Sequence, residues 1–283
     1  MDPVRPRPFT NPLVETIDLR AEANGSEYEV RVGLPASYHQ GAGRYPVLLA
    51  LDADVAFGIT HETSMIEAMW SMAPLGYETP RIPEVIVVGI ALPDRHTNPL
   101  RRNFEYMPEG NPAEFSPVTV AYLERLKAMI GQEPRFGGAP VFQSVLEREV
   151  IPLIELTYRV DPSRRMLFGQ SAGGTFACYT LFTRPDLFTD FVIVSPGLMD
   201  QAIFRLEAAW AAQRDDLKAN VLLSAGEREI RDPFGIVTGT VRLAEQLSAR
   251  HYPRLQLKTW IVPDASHVQA GAPSLARAMA LLG

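Results

Sequence analysis

Chemistry is densest in this sequence at Gly169-Gln170-Ser171-Ala172-Gly173, a serine hydroxyl framed by small residues. Residues 165–168 read as the end of a buried strand and 172–182 as a helix whose first residues are small, so Ser171 falls on a sharp strand-to-helix turn. Such a turn is strained, and Gly169 and Gly173 lack the Cβ atoms that would collide with neighbouring backbone. The hydroxyl is pushed out of the turn, and the first N–H groups of the helix point at whatever it attacks. The expected chemistry is nucleophilic attack by Ser171.

A serine hydroxyl needs a base within hydrogen-bond reach, and the base needs a group that orients it. In strand–turn–helix sites the chain order is serine, acid, histidine. Of five histidines only His251 and His267 follow Ser171. His251 ends a helix and precedes the last strand, whereas His267 lies just past that strand at the edge that carries Ser171, so His267 is the expected base. The acid is expected after the strand at 221–225, in Gly226-Glu227-Arg228-Glu229-Ile230-Arg231-Asp232. Three carboxylates compete there. Glu229 is favoured because three positions past the glycine leave the loop room to turn back. Glu227 and then Asp232 stay open, their other role being surface pairing with Arg228 or Arg231. Asp264 suits a turn better than a catalytic role. For the oxyanion, the N–H of Ala172 and the backbone N–H of Asp54, in the loop after the strand at 47–51, are the expected donors.

The elements that must hold these groups follow from periodicity. The start reads as antiparallel β: residues 14–21, a turn at Asn24-Gly25, then Tyr28, Val30 and Val32 alternating with charged residues. Runs 47–51 and 85–90 are continuously apolar, as in strands covered on both faces. Helical spacing occupies 62–72 and 141–158, the latter with an irregularity expected at Pro152. Then strand and helix alternate: strand to 168, helix from 172, strand 191–195, helix 203–212, strand 221–225, helix 240–249, strand 255–262, helix 273–282. The pattern predicts an α/β fold: a mostly parallel sheet with antiparallel N-terminal strands and helices on both faces. Residues 1–283 are expected to form one domain, with the Pro- and Gly-rich stretch 107–140 an insertion shaping the mouth of the site. Met65, Met69, Trp70 and Met72 fit a helix packing on the sheet, or the lining of an acyl pocket.

A formal charge of −6 without a basic stripe argues against nucleic acid or an anionic membrane as partner. The longest apolar run, 85–92, is far short of a membrane span, and the N-terminus lacks the apolar core of a signal peptide, so a soluble, cytoplasmic protein is expected. One cysteine, Cys178, excludes an internal disulfide and a multi-cysteine metal site, and its position suits buried packing.

With these residues assembled, the chain resembles the esterase D-type branch of the α/β-hydrolases, and most of all its siderophore (enterochelin-type) esterases. The resemblance is carried by Gly137-Gly138-Ala139, Glu149-Val150-Ile151-Pro152, the run from Tyr158 to Arg165, Gly169 to Gly174, Arg184-Pro185-Asp186-Leu187-Phe188, Ser195-Pro196-Gly197-Leu198 and Gly226 to Glu229. It implies a serine carboxylic-ester hydrolase, without metal or organic cofactor, acting through an acyl-enzyme on a small-molecule ester or lactone. It also implies catalytic roles for Ser171, His267 and Glu229. Departures bear on substrate: Gln170 and Ala172 stand where the family has His and a bulky aromatic, and Leu51-Asp52-Ala53 replaces Leu-Asp-Gly. Arg102 to Pro108 matches an arginine-rich segment with one arginine lost, and Met199 stands near the place of an aromatic that faces the site. Gln170, Arg102 and Met199 are the expected substrate-binding residues, and the changes weaken the case for a catechol siderophore. Two alternatives remain: acyl transfer by the same triad, as in the related mycolyltransferases, and a non-catalytic binding protein, which would show a broken triad.

Overall fold

The computed structural model describes residues 10–73, 81–198 and 201–282. Its eight strands are β1 (Val14–Arg20), β2 (Glu27–Gly33), β3 (Tyr45–Ala50), β4 (Ile86–Ala91), β5 (Val160–Gln170), β6 (Asp190–Val194), β7 (Ala219–Gly226) and β8 (Leu255–Val262). They form one sheet in the order β1-β2-β4-β3-β5-β6-β7-β8. The β1–β2 and β2–β4 pairs are antiparallel and every other pair is parallel. The first hairpin closes where Gly25 takes φ 69°, letting its N–H reach the Ala21 carbonyl at 2.8 Å. Tyr28, Val30 and Val32 turn their shared face into the core.

The helices are α1 (Ala53–Ser71), α2 (Arg101–Tyr106), α3 (Pro117–Ile130), α4 (Ala139–Val145), α5 (Ile151–Thr157), α6 (Ala172–Thr183), α7 (Ala202–Ala211), α8 (Ile236–Arg250) and α9 (Gly271–Met279). Strand alternation divides the core into two layers. Leu48, Ala50, Met166, Phe168, Val192 and Val194 pack against Phe57 of α1 and Leu275 and Ala278 of α9. Leu49, Leu167, Phe191 and Ile193 face the opposite way, toward Phe142, Ile154, Phe176, Phe204 and Leu243 on α4 to α8.

Two expectations change in detail. The helix expected from residue 62 begins at Ala53, because its N-cap Asp52 adopts φ 59° and caps without a side-chain bond, while Gly58 interrupts the helical pattern. The helix expected over 141–158 is α4 and α5 joined by a π-helical turn, Leu146–Val150. Pro152 has no N–H and its ring crowds the Arg148 carbonyl, so the preceding turn widens. The α1 methionines Met65, Met69 and Met72 line a cavity of about 220 Å³ with Pro35 and Glu84, remote from Ser171. Their acyl-pocket role is thereby overturned: α1 leaves β3 on the face of the sheet opposite α6. Among the described residues no helix is long and apolar enough to cross a membrane.

His61 of α1 is buried against Gly33, with Nε2 3.3 Å from the Leu34 carbonyl. Burial lowers its pKa below the ordinary 6.5. Between that lowered value and 6.5 the unfolded chain binds more protons than the folded one, so stability rises with pH across the window. Urea midpoints measured on either side of pH 6.5 are expected to fall on acidification, and to fall less in His61→Phe.

Candidate active site

β5 runs into α6 through Ser171, whose backbone sits at φ 60°, ψ −124°. A non-glycine residue stays in this sparse region only when its surroundings over-determine it. Here the Ser171 N–H donates to the Val194 carbonyl at 3.0 Å, and its own carbonyl accepts from Thr175 N–H at 3.0 Å. A Cβ on Gly169 would overlap the Gly173 carbonyl, and one on Gly174 would lie 2.7 Å from the Val194 carbonyl oxygen. On Gly173 the nearest atom would be Asp52 Oδ2 at 3.3 Å, so the tight approach expected of Gly173 belongs to Gly174 instead. Gly169→Ala is expected to cost about 3 kcal/mol of stability, at the upper end for overpacking because backbone must move, whereas Gly173→Ala costs much less. Urea unfolding of both variants measures the contrast.

Glu229 lies in a 3₁₀ turn after β7, and its Oε2 accepts from Gly226 N–H and Ser195 Oγ, both at 2.6 Å. Its Oε1 is 2.5 Å from His267 Nδ1. The two loops are locked together: Arg228 N–H donates to the Ala265 carbonyl at 3.0 Å, and a Cβ on Gly226 would overlap that carbonyl. Burial pushes the Glu229 carboxyl up, but the bonds from His267, Ser195 and Gly226 outweigh it and leave the pKa below the ordinary 4.5. Glu229 therefore carries its negative charge at neutral pH. Neither competing acid bonds His267: exposed Glu227 accepts from Asp264 N–H at 2.7 Å, and Asp232 accepts from Phe234 N–H at 2.7 Å.

Ser171, Ala172 and His267 line one cavity of about 350 Å³ together with Arg102, Asn103, Met107, Tyr122, Leu123, Phe136, Gly197, Asp232, Phe234 and Ile236. Arg102 thus stands where a substrate contact was expected. Its guanidinium forks onto Asp52, with Nε–Oδ1 2.5 Å and Nη2–Oδ2 2.7 Å, and reaches the Gln170 carbonyl at 3.2 Å. Burial would lower its pKa, yet the Asp52 carboxylate raises it above the ordinary value.

Other expected residues are placed differently. The Gln170 side chain does not line this cavity; its amide donates to the His267 carbonyl, and its Oε1 abuts Gly271. The expected substrate contact is thus corrected to a clamp on the histidine loop, because β5 ends with this residue facing α9. Asp54 does not line the cavity either. Its carboxylate pairs with Arg95 at 2.8 Å, and its N–H sits in the first turn of α1, where amides lack an intrahelical acceptor. Met199 lies outside the described residues.

Ser195 and the aromatic wall were not singled out as site residues from sequence. Ser195 is fully buried at φ 46°, a strained position for a serine, with its hydroxyl committed to Glu229. Losing a hydrogen bond to a charged group costs about 1.5–3 kcal/mol, so Ser195→Ala is expected to lower kcat by roughly 10- to 100-fold. Ser195→Gly tolerates the backbone angle yet lacks the hydroxyl, so its kcat should fall equally; recovery in the glycine variant would assign the effect to strain. Tyr122 of α3 meets Phe234 edge-on at 5.4 Å, and Phe115 meets Phe136 at 6.1 Å. The wall thus comes from 107–140 and from the turn before α8. An aromatic in each of these glycine- and proline-punctuated stretches was the only available signal.

A doubly covered, mostly parallel sheet with a strained serine on the turn after β5 is an α/β-hydrolase. The family described as Esterase matches residues 106–249, about half of the chain. The chain is 30% identical over 227 residues to the ferri-bacillibactin esterase BesA of Bacillus subtilis, covering 78% of this chain and 72% of that one. It therefore belongs to this esterase family, and is a serine carboxylic-ester hydrolase. It is also 26% identical over 211 residues to the siderophore triacetylfusarinine C esterase of Aspergillus fumigatus, covering 73% of this chain and 63% of the relative. In fold it is similar to the BES protein of Bacillus cereus, with TM-score 0.81 and 22% identity over 100% of this chain and 99% of the other. The siderophore hydrolase EstA of Aspergillus nidulans gives TM-score 0.77 at 19% identity, over 99% and 98%.

Proposed function

We propose that Ser171, His267 and Glu229 form a catalytic triad that cleaves a siderophore-type ester or lactone. The observation that carries this is the 2.5 Å contact from His267 Nδ1 to the buried Glu229 carboxylate, with His267 and Ser171 on one cavity. Glu229 holds the proton on Nδ1, leaving Nε2 to accept the Ser171 proton as Oγ attacks the ester carbon. The oxyanion of the tetrahedral intermediate receives the Ala172 N–H. His267 then protonates the leaving alcohol, and water resolves the acyl-enzyme by the same route reversed. Likeness to two siderophore esterases supports the substrate class. A cytoplasmic site of action is part of this reading, and fractionation of the producing cells tests it.

Time-resolved hydrolysis of p-nitrophenyl butyrate tests the chemistry. A burst followed by steady turnover in the wild type, absent in Ser171→Ala, is the expected result; equal inertness of both folded proteins would overturn it.

A further inference from the structure

The charges around Ser171 carry an inference about substrate that the family likeness does not contain. The cavity wall is apolar and aromatic: Met107, Tyr122, Leu123, Phe136, Phe234 and Ile236. Among the described residues its one Lys or Arg is Arg102, whose Nε and Nη2 pair with the two oxygens of Asp52. Asp52 already compensates the charge of Arg102, and Arg95 Nη1 stands 3.1 Å from the same carboxylate, so a substrate anion would meet an ion-paired network and not a lone cation. Asp232 adds a carboxylate to the wall and has no ion pair among the described residues; its recorded partner is the Phe234 N–H. The lining therefore offers no free positive charge and one free negative charge.

We propose that Asp232 is a specificity determinant that selects esters with an uncharged acyl portion and rejects anionic ones. This rests on the esterase reading above. The chemical consequence is a choice between siderophore classes. A ferric tris-catecholate is trianionic, because three doubly charged catecholates exceed the charge of the iron. A ferric tris-hydroxamate is uncharged. Like charges brought together in a partly desolvated site are strongly disfavoured, and an aromatic wall rewards apolar surface. At about 350 Å³ the cavity lies at the small end of ligand sites, which run to ~1,000 Å³, so it admits the acyl arm at the scissile bond and leaves the bulk of a larger ester outside. The charge that matters is the charge on that arm and its nearest neighbours. Hydroxamate-type and simple apolar esters meet the requirement.

The experiment uses a matched pair, p-nitrophenyl valerate and mono-p-nitrophenyl succinate, which are similar in acyl size and differ by one carboxylate. Ferric triacetylfusarinine C and ferric enterobactin serve as the siderophore pair. The wild type is expected to favour the neutral member of each pair by at least ~30-fold in kcat/KM. Asp232→Asn keeps the acceptor for Phe234 N–H and removes the charge, and should shrink that ratio by ~10-fold; Asp232→Lys should shrink it further. Equal rates on both members, or a ratio unmoved by both variants, would overturn the proposal while leaving the esterase intact. Absence of Ser171-dependent hydrolysis of every substrate would instead sink the esterase reading, and this proposal with it.

Discussion

Ser171→Ala is expected to lower kcat by about 10⁶, the scale seen when the nucleophile of a serine hydrolase is removed. The fold should not notice. Alanine keeps the Cβ and hence the same strain at φ 60°, and both backbone bonds that pin the turn survive. On the proposed mechanism, what disappears is the oxygen that carries the acyl group. Any rate left over reports binding and the oxyanion donors alone, roughly 10³–10⁴ above water in comparable enzymes. Single-turnover absorbance with p-nitrophenyl butyrate measures both quantities, and the urea midpoint should match the wild type. A variant retaining more than a hundredth of the wild-type rate would mean that another group attacks.

The second large effect is expected for Glu229→Gln. Three donors converge on this carboxylate: His267 on Oε1, and Ser195 with Gly226 N–H on Oε2. A glutamine has one acceptor oxygen. If that oxygen faces Ser195 and Gly226, the amide NH₂ faces His267 Nδ1 and forces the ring proton onto Nε2, where it blocks proton transfer from Ser171. If the amide turns over, its NH₂ meets the Gly226 N–H and can no longer accept from it. The first arrangement preserves more bonds, so kcat should drop ~10⁴-fold with KM little changed, as when the triad acid of a serine protease is amidated. Glu227→Gln is the control, because Glu227 is exposed and bonds only a loop amide, and it should stay within ~3-fold. A matching loss in Glu227→Gln would move the acid role away from Glu229. Stability follows the same logic. The Glu229 pKa is lowered on folding, so its contribution is present above the ordinary 4.5 and is lost as pH falls through the folded value. The Gln variant should lack that step in its acid unfolding.

Much of the sheet was legible because buried parallel strands are short apolar runs: β4 and β8 lie within a residue of their expected bounds. The strained turn at Ser171 was legible because such a turn needs small neighbours at fixed offsets. His267 was legible from chain order alone. Glu229 was harder, since Glu227, Glu229 and Asp232 share one short loop and spacing gives each some claim. Their separation is rotational: a 3₁₀ turn of about three residues points Glu229 back at Gly226 while Glu227 faces solvent. Gln170 shows the opposite limit. It stands at the right position along the chain, yet its side chain is claimed by the His267 carbonyl.

By itself, then, the sequence determined the layered α/β architecture, the strained serine and the histidine that follows the last strand. These depend on periodicity and on the order of elements, both local properties. Tertiary structure alone decided which acid meets His267, that Ser195 braces that acid, and that Tyr122, Phe136 and Phe234 wall the cavity with Asp232 among them. Those residues come from α3 and four loops spread along the sequence. Loop direction is set by a few left-handed or close-packed residues, here Asp52, Ser195, Gly226 and Asp264. One such residue redirects every side chain beyond it, and no pattern along the chain records the direction taken.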